Sequence, residues 1–133
     1  MKFKSHGDFN IELRGNILIT DAFGPWNRET AIEFAKECEK ALAPIFHQRA
    51  FALLTDISCW ELGTPDIVQI HEFNLQKSIE AGCTCQAVVN STGKIKFEQF
   101  NQRSPISKQF ERKFFDTKYF AVEWLSIQGF YLF

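Results

Sequence analysis

No stretch of this chain is apolar over the ~18 residues needed to span a bilayer, so no transmembrane helix is expected. An excess of charge is also missing. Fifteen basic and sixteen acidic side chains give a formal net charge of -1, which leaves no field to steer the protein toward nucleic acid or an anionic membrane. The opening "MKFKSHGDFN" has no apolar core of a secretory signal. Cys38, Cys59, Cys83 and Cys85 therefore read as reduced thiols of a cytoplasmic protein. There is no Gly-rich phosphate loop, no Ser nucleophile elbow and no His-Glu-x-x-His, and the sequence implies no cofactor. Zinc would want four ligands, and the lone Cys83-x-Cys85 supplies two, so no metal site is expected.

What is abundant is aromatic carbon. The chain has 15 Phe and 3 Trp in 133 residues, so either the core is aromatic-rich or some of these rings form a binding surface. Its length suits one domain over residues 1–133.

Phe9, Ile11 and Leu13 alternate with polar neighbours, "RGN" makes a turn, and Ile17–Phe23 gives a second extended segment. This pattern predicts an antiparallel hairpin. Asn27 then stands as N-cap of a helix whose apolar face carries Ala31, Phe34, Ala35, Cys38 and Leu42, with Pro44 as its stop. Phe51–Leu54 reads as a strand buried on both faces. A second helix is expected from Pro65 to Ala81, capped by Thr64 and ended by Gly82. Cys83–Val89 follows as another buried strand, with both cysteines expected on one face. Residues 94–109 fit a short helix or a strand, "FERKFF" a last strand, and the segment after Asp116 or Thr117 a final helix ended by Gly129. The fold class is α/β, a mixed sheet with an N-terminal antiparallel hairpin and about four flanking helices.

"GPWNRETA", Gly24 to Ala31, resembles the G-x-L-D-x-x-T-A signature that leads into the first helix of anti-sigma factor antagonist and STAS domains, with Gly24, Asn27, Thr30 and Ala31 in the matching places. "FFDTKYFAVEWLSIQG" is similar to the ending common in the SpoIIAA-like branch of small bacterial proteins. The resemblance implies a non-enzymatic, SpoIIAA-like (STAS-like) fold used for partner binding, for phosphorylation-controlled switching, or for holding a small or lipidic ligand. Two departures stand out. Antagonists carry D-S-S-G before the second helix, where this chain has "LGTPD" with one hydroxyl, Thr64, and they carry Asp at the place of Asn27.

The candidate site is the strand-to-helix rim of Trp26, Asn27, Trp60, Leu62 and Thr64, because open α/β sheets bind ligands at the carboxyl ends of their strands. The first reading is a non-catalytic module that holds an apolar or amphipathic small molecule there, such as a lipid, with peripheral membrane contact. The alternative is a regulator that binds a protein partner and is switched by phosphorylation at Thr64, whose hydroxyl equally serves as an ordinary N-cap. An enzyme built on Cys59, His71 and Asp56 ranks last, since no local motif joins them. Arg103, Lys108, Arg112, Lys113 and Lys118 read as a solvated face over an aromatic core. The tail "GFYLF" must dock on the domain, meet a partner subunit as a homodimer contact, or touch a membrane.

Overall fold

A computed structural model of the protein describes residues 8–61, 65–92 and 109–132. Leu62, Gly63, Thr64 and the expected short element within 94–108 lie outside the described residues. Five strands form one sheet in the order β1-β2-β3-β4-β5. They are β1 (Asp8–Arg14), β2 (Ile17–Pro25), β3 (Phe51–Glu61), β4 (Cys83–Val89) and β5 (Glu111–Phe115). The first two pair antiparallel and every later neighbour pairs parallel. Three helices stand among the described residues against about four expected: α1 (Arg28–Leu42), α2 (Pro65–Glu80) and α3 (Lys118–Ile127).

The helices start and stop where the chain provides caps. Asn27 accepts the Thr30 N–H at 3.0 Å to open α1, and Thr117 accepts the Phe120 N–H at 3.3 Å to open α3. At the end of α2, Gly82 takes φ +127 and a Cβ there would stand 2.8 Å from the Arg49 carbonyl oxygen. Only glycine fits that backbone and that approach.

The two faces of the sheet are covered differently. On one, α3 packs Ala121, Trp124 and Leu125 against Ile17, Ala52, Leu54, Cys85, Ala87 and Val89. On the other, α1 and α2 cover Leu18, Leu53, Ile57 and Val88. Phe130 and Leu132 of the tail pack on the α3-side cluster, so that part of the tail docks on its own chain.

Two bulges overturn readings based on strict alternation. β4 carries one residue more than β3 between the pairs Phe51–Cys83 and Ala52–Cys85. Consequently Cys83 packs with the α1–α2 side and Cys85 with the α3 side, instead of sharing a face. The second lies in β3, where Asp21 pairs with Asp56 but Phe23 pairs with Cys59. β3 runs on through Trp60 to Glu61, pairing with Gly24 and Pro25 of β2. Trp60 and Glu61 are thus strand residues, well beyond the Phe51–Leu54 run that the sequence marks as a strand. The extra residue turns Trp60 to the side that Ile57 occupies, and the two share one cluster.

Candidate functional site

Between the sheet and the pair α1–α2 lies a cavity of about 100 Å³. Protein interiors pack densely and hold few voids larger than a water molecule, so a space of this size marks the place where the core fails to close. Its apolar wall is built from rings. Trp26 and Trp60 meet edge to face with centroids 6.3 Å apart, and each is only 3% exposed. Phe34 of α1 lies 5.0 Å from Trp26. His71 of α2 completes the group, 5.6 Å from Trp26, 6.1 Å from Phe34 and 6.2 Å from Trp60. The Trp26 indole N–H donates to the carbonyls of Phe23 at 3.1 Å and Asp8 at 3.2 Å, which fixes the ring against the end of the hairpin.

The floor is polar. One side chain from each of four adjacent strands joins a chain of hydrogen bonds running across the sheet. The Thr20 hydroxyl donates to the Thr55 hydroxyl at 3.3 Å. The Gln86 amide donates to the same Thr55 oxygen at 3.0 Å, and Arg112 Nε donates to the Gln86 carbonyl at 2.8 Å. All four residues line the cavity, with Ser78, Asn74 and Glu72 of α2 facing in from above.

Electrostatics follow from this burial. Removal from water pushes the His71 imidazole down to about 4, and the Arg112 guanidinium adds to the shift. His71 is accordingly neutral near pH 7. Burial also lowers Arg112 to about 10, which leaves it charged under the same conditions. A cation at the edge of an apolar, ring-walled space exerts a stronger field than it would in water.

The expected rim residues distribute between two roles. Trp26 and Trp60 come together, as walls of an interior cavity and not as an exposed rim. Asn27 caps α1, and its side-chain oxygen also accepts the Thr30 hydroxyl at 2.8 Å. Leu62 and Thr64 lie outside the described residues.

Cys59, His71 and Asp56 do not converge. His71 is on the α1–α2 side, while Asp56 faces Lys118 of α3 at 3.8 Å and accepts the Ser58 N–H at 2.9 Å. Cys59 is exposed. The other three thiols are buried, and burial raises all of them, Cys38 to about 12 and Cys85 to about 11. The basic cluster also separates: Arg112 lines the cavity, Lys118 pairs with Asp21 at 3.0 Å, and Lys113 lies over the Phe115 ring at 5.8 Å.

Thr20, Thr55 and Gln86 escaped the sequence reading, and Arg112, read there as part of a solvated face, lines the cavity instead. Each alone is an ordinary strand residue. Their signal is one of phase: every one occupies a position that alternates in step with Leu18, Leu53, Val88 or Phe114, where an apolar side chain belongs.

On the outside, an open groove of about 400 Å³ runs between α1 and α2, bordered by Ile32, Ala35, Ile70 and Phe73. Phe73 is 69% exposed, and Lys77 Nζ lies 5.9 Å from its ring centroid. The groove is spanned by ion pairs of both polarities, Arg28–Asp66 at 3.9 Å and Glu39–Lys77 at 3.3 Å.

Among the described residues no helix is long and apolar enough to cross a membrane. No family model and no curated protein sequence matches the chain. Solved structures do. An uncharacterised protein of the DUF3478 family with a SpoIIAA-like fold, from Shewanella loihica PV-4, superposes with a TM-score of 0.65 at 21% identity, over 94% of this chain and 98% of that one. An anti-sigma factor antagonist from Mycobacterium paratuberculosis superposes with a TM-score of 0.60 at 15% identity, over 90% of this chain and 94% of that one. The superpositions cover nearly the whole length of both neighbours, and the fold of this chain is SpoIIAA-like.

Proposed function

We propose that the protein is a single-domain, non-catalytic regulatory module of the cytoplasm that acts by binding a protein partner through the outer face of α1 and α2. The observation that carries this reading is Phe73, a large aromatic side chain 69% exposed beside Ile70 and Ile32. An exposed ring in an apolar groove rimmed by paired charges has the make-up of an interface anchor. The likeness in fold to an anti-sigma factor antagonist supports the same reading. Phosphorylation of Thr64, the residue before Pro65 at the start of α2, would add a dianion next to the helix N-terminus in sequence and is the proposed switch.

Affinity capture from the source cells tests it, with wild-type protein and Phe73→Glu as paired baits. A partner retained by the wild type and reduced at least tenfold by Phe73→Glu is the expected result. Equal recovery on both baits refutes the assignment of this face.

A second reading, a module holding a small apolar or amphipathic molecule, is favoured by the interior cavity. At about 100 Å³ the space is well below the ~300–1,000 Å³ of common ligand clefts. That size suits a compact molecule better than a lipid chain.

A further inference from the structure

We infer that the interior cavity is a binding site for a small neutral carbonyl compound of about four non-hydrogen atoms, the size of acetone, whose oxygen accepts hydrogen bonds from the Thr20–Thr55–Gln86 floor. The inference rests on the second, small-molecule reading above and gives it a ligand class. Hydrogen bonding, charge and volume lead to it.

The lining holds donors without acceptors. An arginine can only donate, so the Gln86 oxygen faces Arg112 and the Gln86 amide faces Thr55. That amide carries two hydrogens. Thr55 takes one, and no described residue accepts the other. Thr20 and Thr55 share one hydrogen bond between their hydroxyls, and whichever donates it, the hydrogen of the other is left over. Ser78 of α2 supplies a further donor. It lines the cavity, is 5% exposed, and its hydroxyl makes no hydrogen bond among the described residues. A buried donor without a partner is costly, and a guest with an acceptor relieves that cost.

The rest of the lining is apolar. Trp26, Phe34, Leu53 and Leu75 offer a water molecule nothing to bond, so water would satisfy the polar part and fill the remainder poorly. One oxygen on an apolar body meets both parts. That body lies against Leu53 and Leu75 and not between Trp26 and Trp60, whose rings already meet edge to face.

Charge argues for a neutral guest. Arg112 and Glu72 border the cavity with opposite signs, and both have partners within the chain. His71 is neutral near pH 7. An ionic guest would give up its hydration and find no uncommitted counter-charge in the lining. Volume sets the size. A cavity of ~150 Å³ takes benzene, so about 100 Å³ takes about four non-hydrogen atoms.

Four planar probes of nearly equal size decide the matter in the full-length wild-type protein: acetone, isobutene, acetate and acetamidinium. Binding is read from the methyl resonances of Thr20, Thr55, Leu53 and Leu75. Acetone is expected to shift them saturably with a Kd of about 1 mM or tighter, at least fivefold better than any of the other three. Thr55→Val keeps the volume and removes the hydroxyl, and should erase the preference for acetone over isobutene. Should that variant fail to fold, Ser78→Leu fills the cavity from α2 with no hydrogen bond to lose, and must abolish acetone binding.

Isobutene binding as tightly as acetone would show an apolar void indifferent to the oxygen. The small-molecule reading would then stand and the carbonyl assignment would fall. Tighter binding of acetate or acetamidinium overturns the assignment in the same way. Absence of saturable binding by all four probes overturns both the assignment and the reading beneath it. None of these outcomes bears on Phe73, which faces the outer groove, so partner capture succeeds or fails independently.

Discussion

His71 couples the cavity to pH. The unfolded chain takes up a proton on this residue near 6.5, whereas the folded chain does so only near about 4. Between those values the unfolded state binds more protons, so this group's contribution to stability is complete above about pH 6.5 and is lost as the pH falls toward 4. The displacement corresponds to about 3 kcal/mol when fully developed. Urea unfolding at pH 7 and pH 4.5 should show the wild type losing about 2 kcal/mol more than His71→Leu over that interval. Parallel losses in both proteins would mean that His71 titrates normally in the folded state. At this scale the sequence shows its rings but hides its polar floor. Trp26 and Trp60 are conspicuous because two large side chains beside turn signals are rare. Thr55 and Gln86 matter only through partners 35 and 31 residues away, which no local pattern announces.

At the scale of elements the decisive residues are the caps. The Asn27 side chain holds both the N–H and the hydroxyl of Thr30, so Asn27→Ala removes two hydrogen bonds from the start of α1, both made to a buried residue. A loss of about 1–2 kcal/mol in urea unfolding is expected. Asn27→Asp keeps the acceptor and adds a charge that the helix dipole favours, so it should stay within about 0.5 kcal/mol of wild type. If Asn27→Ala leaves stability unchanged, the residue is not a working cap and a role in binding regains weight. Caps and periodicity made α1, α2 and α3 readable, because their signals are local and bind the residues that carry them. The strands were readable in position but not in extent. β3 extends beyond its apolar run because Phe23, Gly24 and Pro25 continue to pair with Cys59, Trp60 and Glu61, and pairing with a distant strand leaves no local trace. The bulges act in the same way. One inserted residue in β4 sends Cys83 and Cys85 into opposite cores, against a period of two that the sequence displays without interruption.

For the whole molecule, the two faces of the sheet differ in how completely they are closed. The α3 side packs an apolar core, with Ala121 and Leu125 wholly buried against Ile17, Ala52 and Ala87 and the ion pairs of Lys118 with Asp21 and Asp56 at its edge. The α1–α2 side keeps the cavity and the groove, the features through which a binding function would act. The tail belongs to the first side. After α3, Gly129 takes φ +97, the Phe130 N–H donates to the Leu125 carbonyl at 2.9 Å, and Phe130 and Leu132 turn back onto the cluster around Trp124. This is a helix stop whose following residues close the core, the arrangement that a left-handed glycine makes available. Tyr131 between them points outward, 54% exposed. The tail therefore works first as a clasp on its own chain. The double variant Phe130→Ala, Leu132→Ala should lower stability by about 1–3 kcal/mol, less than for wholly buried side chains because both are half-buried. Sedimentation velocity should give the same species for variant and wild type, and the unfolding midpoint of each should be independent of protein concentration. A wild-type dimer that the double variant dissociates, with a midpoint that rises with concentration, would instead place Phe130 and Leu132 at a seam between subunits.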